Sequence, residues 1–468
     1  MAERIDPKWA WVAYEPSADN PWDLRKAGHL YRRAAFGATW PELRQALTDG
    51  PAKAIDRLLH GGAESPDFES AAAIMNRAAR QNIDLARGWW LTRMLEGAHP
   101  LREKMTLFWH NHFATSNAKV RSASRMVGQN ELMREHALGN FAELLQEMSK
   151  DPAMMVWLDT VQSKKGQPNE NYARELMELF SLGIGNYTEQ DIREAAKAFT
   201  GWEIKAEKFH FNPGQHDDSP KTMLGKSGKL KGEDVVNICL EQPACPRFIA
   251  RKLLRFLVSD TLPLADELIQ PLADRFRAGQ YDFGKLVEIV LRSNLFFSDH
   301  AYRNKIKSPV DFVLGIVRGL EIRVSTTALA GALETLGQNL YHPPSVKGWD
   351  GGPSWLNGQT LLFRQNLALA LSSRDGQYVR HPGGTDVIEP ADLLRKHGVE
   401  GEQASAAFLL DLFLQGDVPA ETREKLVEYL QQSRKQSLPS YWTAEERQRH
   451  PTRAVTHLVL TLPEFQLG

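Results

Sequence analysis

The sequence predicts a mainly α-helical protein, a large multi-helix orthogonal bundle with one short β-hairpin insertion. Through most of the chain, apolar residues recur near i, i+3, i+4 and i+7, the spacing that turns one stripe of a helix toward a core. Many of the segments carrying this period open on Ser, Asp, Asn or Thr and close near Gly, as the capping of unsatisfied backbone groups predicts. No motif returns at a fixed period, which disfavours a solenoid.

Taken in order, the period first covers 67–98 and stops at Gly97-Ala98-His99-Pro100, where Pro100 suits the first turn of the next helix, 101–113. It resumes over 117–138, 141–150, 169–183 and 189–201. Further helical stretches are 245–260, 265–279, 282–293 and 308–320, followed by 360–373, 405–416, 420–435 and 452–463. Residues 201–230 alternate polar and apolar before running into Gly and Pro, the signature of a hairpin or ordered loop. Residues 341–358 are rich in Pro and Gly around two tryptophans and read as a rigid loop, and 373–389 reads as a surface linker. At 468 residues the chain exceeds one small core. The expected division is a helical core domain over 1–372, with the hairpin insertion at about 201–230, and a C-terminal helical subdomain over 389–468 packed on it.

Composition narrows the function classes. A hydrophobic content of 42% with 25% charged residues lies in the globular range and excludes wholesale disorder. Lys plus Arg number 57 against 58 Asp plus Glu, so the basic excess of a dedicated nucleic-acid binder is missing, although a local basic stripe is compatible with that total. The two cysteines, Cys239 and Cys245, are too few for a disulfide scaffold, and their spacing fits no zinc ribbon, redox pair or haem attachment. The N-terminal stretch lacks the apolar run of a secretory signal, and Arg32-Arg33 is not followed by one. The expectation is a cytoplasmic protein with no membrane span.

Four places hold residues able to do chemistry. Trp109-His110-Asn111-His112 sets two imidazoles one residue apart, a spacing used for metal ligation because neutral ring nitrogens suit Zn, Fe, Cu or Ni. Residues i and i+2 of a helix face apart, so convergence of His110 and His112 needs the helix to end there; otherwise one belongs to the core and one to the surface. Asn171, Glu175 and Glu178 fall at i, i+4 and i+7, one stripe of a helix, where two carboxylates can hold a metal or act as acid and base, or can face solvent with Arg174 pairing to Glu178. His210 and His216-Asp217, followed by Lys221, lie among Pro and Gly; Asp217 can add a ligand or orient an imidazole, and an Asp/His-rich surface turn has the same composition. Trp349 and Trp355 sit on a stiff loop as stacking platforms for a sugar or as plugs in a packing seam. The G-x-S-x-G elbow, H-E-x-x-H, the phosphate loop and G-x-G-x-x-G are all missing from the sequence, which weighs against serine-hydrolase and nucleotide-driven chemistry.

Together these segments resemble a bacterial family, the domain of unknown function 1800 (DUF1800). The matching blocks are His29 to Gly37, Phe108-Trp109-His110-Asn111-His112-Phe113, Asn169 to Gly183 and Ala196 to Trp202. They continue with His216-Asp217 before Lys221 to Gly225, then Lys305 to Val310, and Pro343 to Trp349. The blocks run in order across nearly the whole chain. The resemblance brings no activity with it. It implies that the blocks meet in one cleft, and, because family genes sit beside those of a sulfatase-like family, it implies a sulfatase-like companion protein and envelope or polysaccharide material. Relatives often resemble exported proteins, and this chain departs from them in lacking an export signal.

Three functional readings follow. In the first, a metal-assisted hydrolase holds Zn, Mn or Fe through His110 and His112, uses Glu175 and Glu178 as ligand and general base, and closes the site with His216 and Asp217. In the second, metal-free acid–base chemistry on a polysaccharide uses His110 or His112, Tyr172 and Arg174 as base, acid and charge neutraliser. In the third, a non-catalytic binding or assembly module uses the polar blocks as buried networks, with Trp349 and Trp355 meeting a glycan or partner. Asn111, Asn171, His210 and Lys221 join the tryptophans as candidate substrate contacts. Either form of chemistry depends on imidazoles near 110 and carboxylates near 175 sharing one water-accessible hollow.

Overall fold

A computed structural model describes residues 5–373, 377–379, 389–435 and 442–468. Twenty-three α-helices and two small two-stranded sheets make up the regular structure among them, a mainly α protein. The helices start where side chains replace the missing backbone acceptors. Thr39 and Glu42 form a reciprocal box at the start of helix Trp40–His60, Ser308 caps Pro309–Leu320, and Pro100 occupies the first turn of Pro100–His112. No helix among the described residues is long and apolar enough to cross a membrane.

Several expected helices are interrupted. The stretch 67–98 is two helices, Pro66–Ala79 and Ile83–Glu96, because the Asn82 side chain accepts from the backbone N–H groups of Asp84 and Leu85 and starts a new helix. The stretch 117–138 breaks at Arg121, whose φ of 50° is left-handed, into Asn117–Val120 and Ala123–Glu135. The insertion at 201–230 holds two hairpins where one was expected: β1 (Trp202–Lys205) with β2 (Lys208–Phe211), and β3 (Lys221–Met223) with β4 (Lys226–Gly228), both antiparallel. Each turns on two residues of positive φ, Ala206-Glu207 at 48° and 62° and Leu224-Gly225 at 46° and 78°, the geometry that matches strand twist. In the predicted linker, residues 374–376 and 380–388 lie outside the described residues, and Val379 bridges to Val324.

Two hydrophobic cores form. The first draws on residues between Ala10 and Ala301. The second joins Trp89, Trp90 and their neighbours to the helices between Val310 and Phe465, so the C-terminal helices share a core with chain from the first third. Helix Pro100–His112 serves both, giving Leu101, Met105, Phe108 and Trp109 to one and Leu107 to the other. Its polar residues are buried as well. Glu103, only 2% exposed, accepts from Arg134 at 2.7 and 3.2 Å, from Arg93 at 3.1 Å and from the Trp90 indole at 3.0 Å. Burial alone would push its carboxyl up, and Arg134 with Arg93 more than offsets that and holds it low. Lys104 pairs with Asp311 of helix Pro309–Leu320, across the junction of the two cores.

Glu103 and Arg134 are buried and Arg93 is partly so, and loss of the carboxylate leaves two guanidinium groups without this counter-charge. Glu103→Gln is expected to lower unfolding stability by about 3–5 kcal/mol. Denaturant titration checks this, and a change under about 1 kcal/mol would mean the network contributes little.

Candidate functional site

The face of helix Pro100–His112 that carries Lys104, Leu107, Phe108, Asn111 and His112 is a continuous stripe at i, i+3, i+4, i+7 and i+8. It lines one wall of a cavity of about 680 Å³. Helix Ala244–Leu257 lines another with a stripe of the same spacing, Phe248, Arg251, Lys252, Arg255 and Phe256. Arg32 and Arg33 come from helix Leu24–Ala34, Glu178 and Ile184 from the 176–184 segment, and Lys305 to Ser308 and Asp311 from the entry to helix Pro309–Leu320. The loop from Lys347 to Trp355 completes the rim.

The lining is strongly cationic, with nine Lys and Arg against four Asp and Glu. Several of these cations have counter-ions: Lys104 with Asp311, Lys305 with Asp260, Lys347 with Asp350 at 2.7 Å and Arg251 with Asp266 at 2.7 Å. Five do not. Among the described residues Arg32, Arg33, Lys252, Arg255 and Lys307 have no carboxylate in ion-pair contact and rest on neutral partners instead. Arg33 donates to the Ala301 carbonyl at 2.7 Å, Arg255 to that of Asp260 at 2.9 Å, and Arg32 to the Gln415 side chain. Lys252 reaches only the Leu179 carbonyl at 3.4 Å, and the Lys307 ammonium lies 3.5 Å from the centre of the Phe465 ring. Burial lowers Lys252 to about 8, and it lowers Lys305 to about 8 despite Asp260. Lys307 is pushed well down by burial and then by the Arg32 charge. These shifts express the cost of holding cations away from water without enough counter-charge.

The residues singled out in the sequence distribute unevenly around this cleft. His110 and His112 both lie on helix Pro100–His112, which runs through them without ending, and they face different cores. His110 Nε2 accepts from the Tyr341 backbone N–H at 3.1 Å, so its proton sits on Nδ1. Its ring meets Trp90 and Tyr341, and burial, followed by His342, lowers it to about 3. His112 Nε2 donates to the Phe180 carbonyl at 3.1 Å, which puts its lone pair on Nδ1 and its ring among Phe108, Phe113 and Phe180. Burial and then Lys252 push it well below the usual imidazole range. The two imidazoles are therefore neutral, of opposite tautomer, and directed apart.

The 171–178 stripe is altered because the helix changes pitch. Asn171–Glu175 is α-helical and Leu176–Ser181 is a π-helix, marked by the i→i+5 bond from the Leu182 N–H to the Met177 carbonyl at 2.9 Å. Glu178 reaches the cleft and accepts from the Tyr187 hydroxyl at 2.9 Å. Glu175 stays near it, raised by burial and then by the Glu178 charge. Asn171 is exposed and donates to Asp159, while Arg174 makes a two-pronged pair with Glu189 at 2.8 and 2.8 Å and does not pair with Glu178. The Tyr172 hydroxyl is buried on Ser149 at 2.5 Å.

The hairpin residues serve their own region. His216 Nδ1 donates to the Thr200 carbonyl at 2.9 Å, and Asp217 accepts from Ser219, which holds its carboxyl low. Lys221 is buried on the carbonyls of Asp217 and Ser219 at 2.6 and 3.0 Å, and His210 lies opposite Glu203 in the β1–β2 ladder. None of these four lines the cleft. Thus His112, Asn111, Glu178, Trp349 and Trp355 are brought together, and His110, Tyr172, Arg174, His210, His216, Asp217 and Lys221 lie outside that lining. Among the described residues no group of three or more His, Cys, Asp or Glu side chains gathers closely enough to hold a metal ion.

Asn111 acts on the tryptophan loop. Its Oδ1 accepts from the Trp349 N–H at 2.7 Å, and its Nδ2 lies 3.4 Å from the Trp349 carbonyl. A Cβ at Gly348, where φ is 87°, would lie 2.3 Å from Asn111 Oδ1, so this close clasp requires glycine. Trp349 and Trp355 line the cavity but keep only 8% and 7% exposure.

The chain matches the family described as "Protein of unknown function (DUF1800)" over residues 29–467. No curated protein and no solved structure matches it.

Removing the clasp leaves a buried N–H without an acceptor. Asn111→Ala is expected to cost about 1–3 kcal/mol and to make the 342–357 loop a preferred site of limited proteolysis. Melting curves and mapped cleavage sites check both, and an unchanged cleavage pattern would show that the loop is held by its tryptophans alone.

Proposed function

The chain belongs to the DUF1800 family, whose description carries no activity, and from the cleft itself we propose that the protein binds an anionic saccharide there. One observation carries this reading: five cations without a carboxylate partner surround a single cavity. Cations held away from water are costly, and a bound anion supplies the missing partner. Phe108, Phe248 and Phe256, with the two tryptophans, supply apolar wall for the C–H faces of sugar rings. A volume of about 680 Å³ is adequate for a short oligosaccharide.

Calorimetry with uronate-, sulfate- or phosphate-bearing oligosaccharides and with neutral ones of equal length tests this. Acidic ligands are expected to bind about tenfold or more tighter, with affinity falling as salt rises. Equal affinity for neutral and acidic ligands, or no binding by either, would overturn it. The pH dependence has a definite sign. Lys252 and Lys305, each lowered to about 8, lose protons between pH 7 and 9, so affinity falls over that window.

The lowered Lys252 amine favours a second reading, in which the cleft also acts on a bound uronate. Neutral Nζ takes the proton from the carbon beside the carboxylate, the C=C bond forms, the adjacent C–O bond breaks, and the leaving oxygen is protonated by water. New near-ultraviolet absorbance, lost in Lys252→Met and rising in rate as pH passes 8, is the expected result. No absorbance change with any uronate substrate leaves binding as the sole activity.

A further inference from the structure

The cations of the cleft are not evenly buried, and the most buried ones gather where the cleft meets the second core. Lys104, Arg33 and Lys307 are 3%, 3% and 6% exposed, with Arg32 and Lys305 beside them. Two side-chain carboxylates stand among these five cations, and each is already taken: Asp311 by Lys104 and Asp260 by Lys305; Gly468 lines the cleft beside Arg33 and Lys307. Asp311 also accepts from the Ser308 hydroxyl at 2.8 Å. No side-chain carboxylate is therefore left in ion-pair contact with Arg32, Arg33 or Lys307, and Asp417, Asp260 and Asp311 act on them only from further off. Some of their donors are unmet too. Arg33 Nε and Arg32 Nε and Nη2 are buried with no hydrogen-bond partner. Besides the Phe465 ring, no carbonyl or carboxylate lies within hydrogen-bond reach of the Lys307 Nζ among the described residues. A second, smaller cavity of about 30 Å³ shares Arg32, Lys307 and Asp311 with the cleft, so there is free space beside these groups.

We infer that this inner end is a subsite for a tetrahedral oxyanion, the phosphate or sulfate ester group of a ligand whose remainder lies in the cleft. A carboxylate offers two oxygens and is matched by one guanidinium fork. Two guanidinium edges and one ammonium, drawn from helix Leu24–Ala34 and from the 305–307 segment, match a head group with three free oxygens and more than one negative charge. The neighbouring lysine–carboxylate pairs hold the walls without using these donors. This inference rests on the anion-binding reading of the cleft and specifies which anion occupies its inner end.

The test is thermal unfolding of the full chain with inorganic phosphate or sulfate against chloride at matched ionic strength, with isothermal titration for affinity. Wild-type protein is expected to melt higher in phosphate or sulfate. Lys307→Met removes a buried amine that no side-chain carboxylate pairs with, so without anion it melts at or above wild type, while its affinity for the anion falls about tenfold or more. Arg32→Gln, at a less buried position, is expected to show the same loss of response and serves if Lys307→Met does not fold. A response to one anion alone names the ester. No response of wild type to either anion, or an undiminished response in both variants, overturns the subsite. Binding of uronate oligosaccharides together with no wild-type response to either inorganic anion overturns the subsite but leaves the proposed function standing. A phosphate response with no acidic saccharide bound overturns the proposed function alone.

Discussion

Lys104 and Asp311 form the ion pair on which the rest of this architecture depends. Lys104 belongs to the helix that serves both cores, and Asp311 lies in the first turn of Pro309–Leu320, a helix of the second core. Burial would raise the Asp311 carboxyl; Lys104 and the Ser308 hydroxyl more than offset it and keep it charged. A buried pair of this kind is a weak net contributor to stability but a strong geometric one, because separating it strands a charge in a dry environment. It ties the helix shared by the two cores to a helix of the second, at a place where both residues line the cleft. The stripe of Leu107, Phe108, Asn111 and His112 faces the cavity because Lys104, on the same stripe, is anchored at its floor.

Helical periodicity was legible in the sequence because apolar spacing decides which face of a segment is buried, and burial decides the fold class. Its interruptions were not. Arg121 takes a left-handed conformation that its residue type does not announce, and the turns Ala206-Glu207 and Leu224-Gly225 lack the Asn-Gly or Asp-Gly signal of a tight hairpin. The shift to π geometry at Leu176–Ser181 was hidden for the same reason: it costs one backbone hydrogen bond, and nothing in Leu-Met-Glu-Leu-Phe-Ser marks it. That one shift moves Glu178 toward the cleft, where it meets Tyr187, while Asn171 remains outside.

The candidate site was half legible. His112, Asn111, Glu178, Trp349 and Trp355 stood out by residue type and share the cleft, yet their roles came from contacts between distant segments, such as the Asn111 clasp on Trp349 across 238 positions. His110 was drawn in by its spacing from His112, but a helix that continues through both sends them to opposite sides. The larger omission was the stripe Phe248, Arg251, Lys252, Arg255 and Phe256. Its helical spacing was in plain view, but basic residues on a helix usually mark a solvated face, and only the fold shows that helix Pro100–His112 faces it. A balanced total of 57 basic and 58 acidic residues concealed the concentration further.

That balance has a physical consequence. Since the cleft is cationic and the whole chain is nearly neutral, the remainder of the molecule carries a compensating acidic excess. Field lines from a cationic concavity with apolar walls converge at its mouth, while the rest of the chain, slightly acidic in total, offers no comparable concentration of cations. An anion is thus steered to one place. The cost falls on the protein itself, since Arg32, Arg33 and Lys307 rest on neutral partners, so anion binding and folding stability are linked at the same side chains. A protein optimised for stability alone would replace Lys307 by an apolar residue against Phe465. The ammonium there is explained by an anion that arrives from outside.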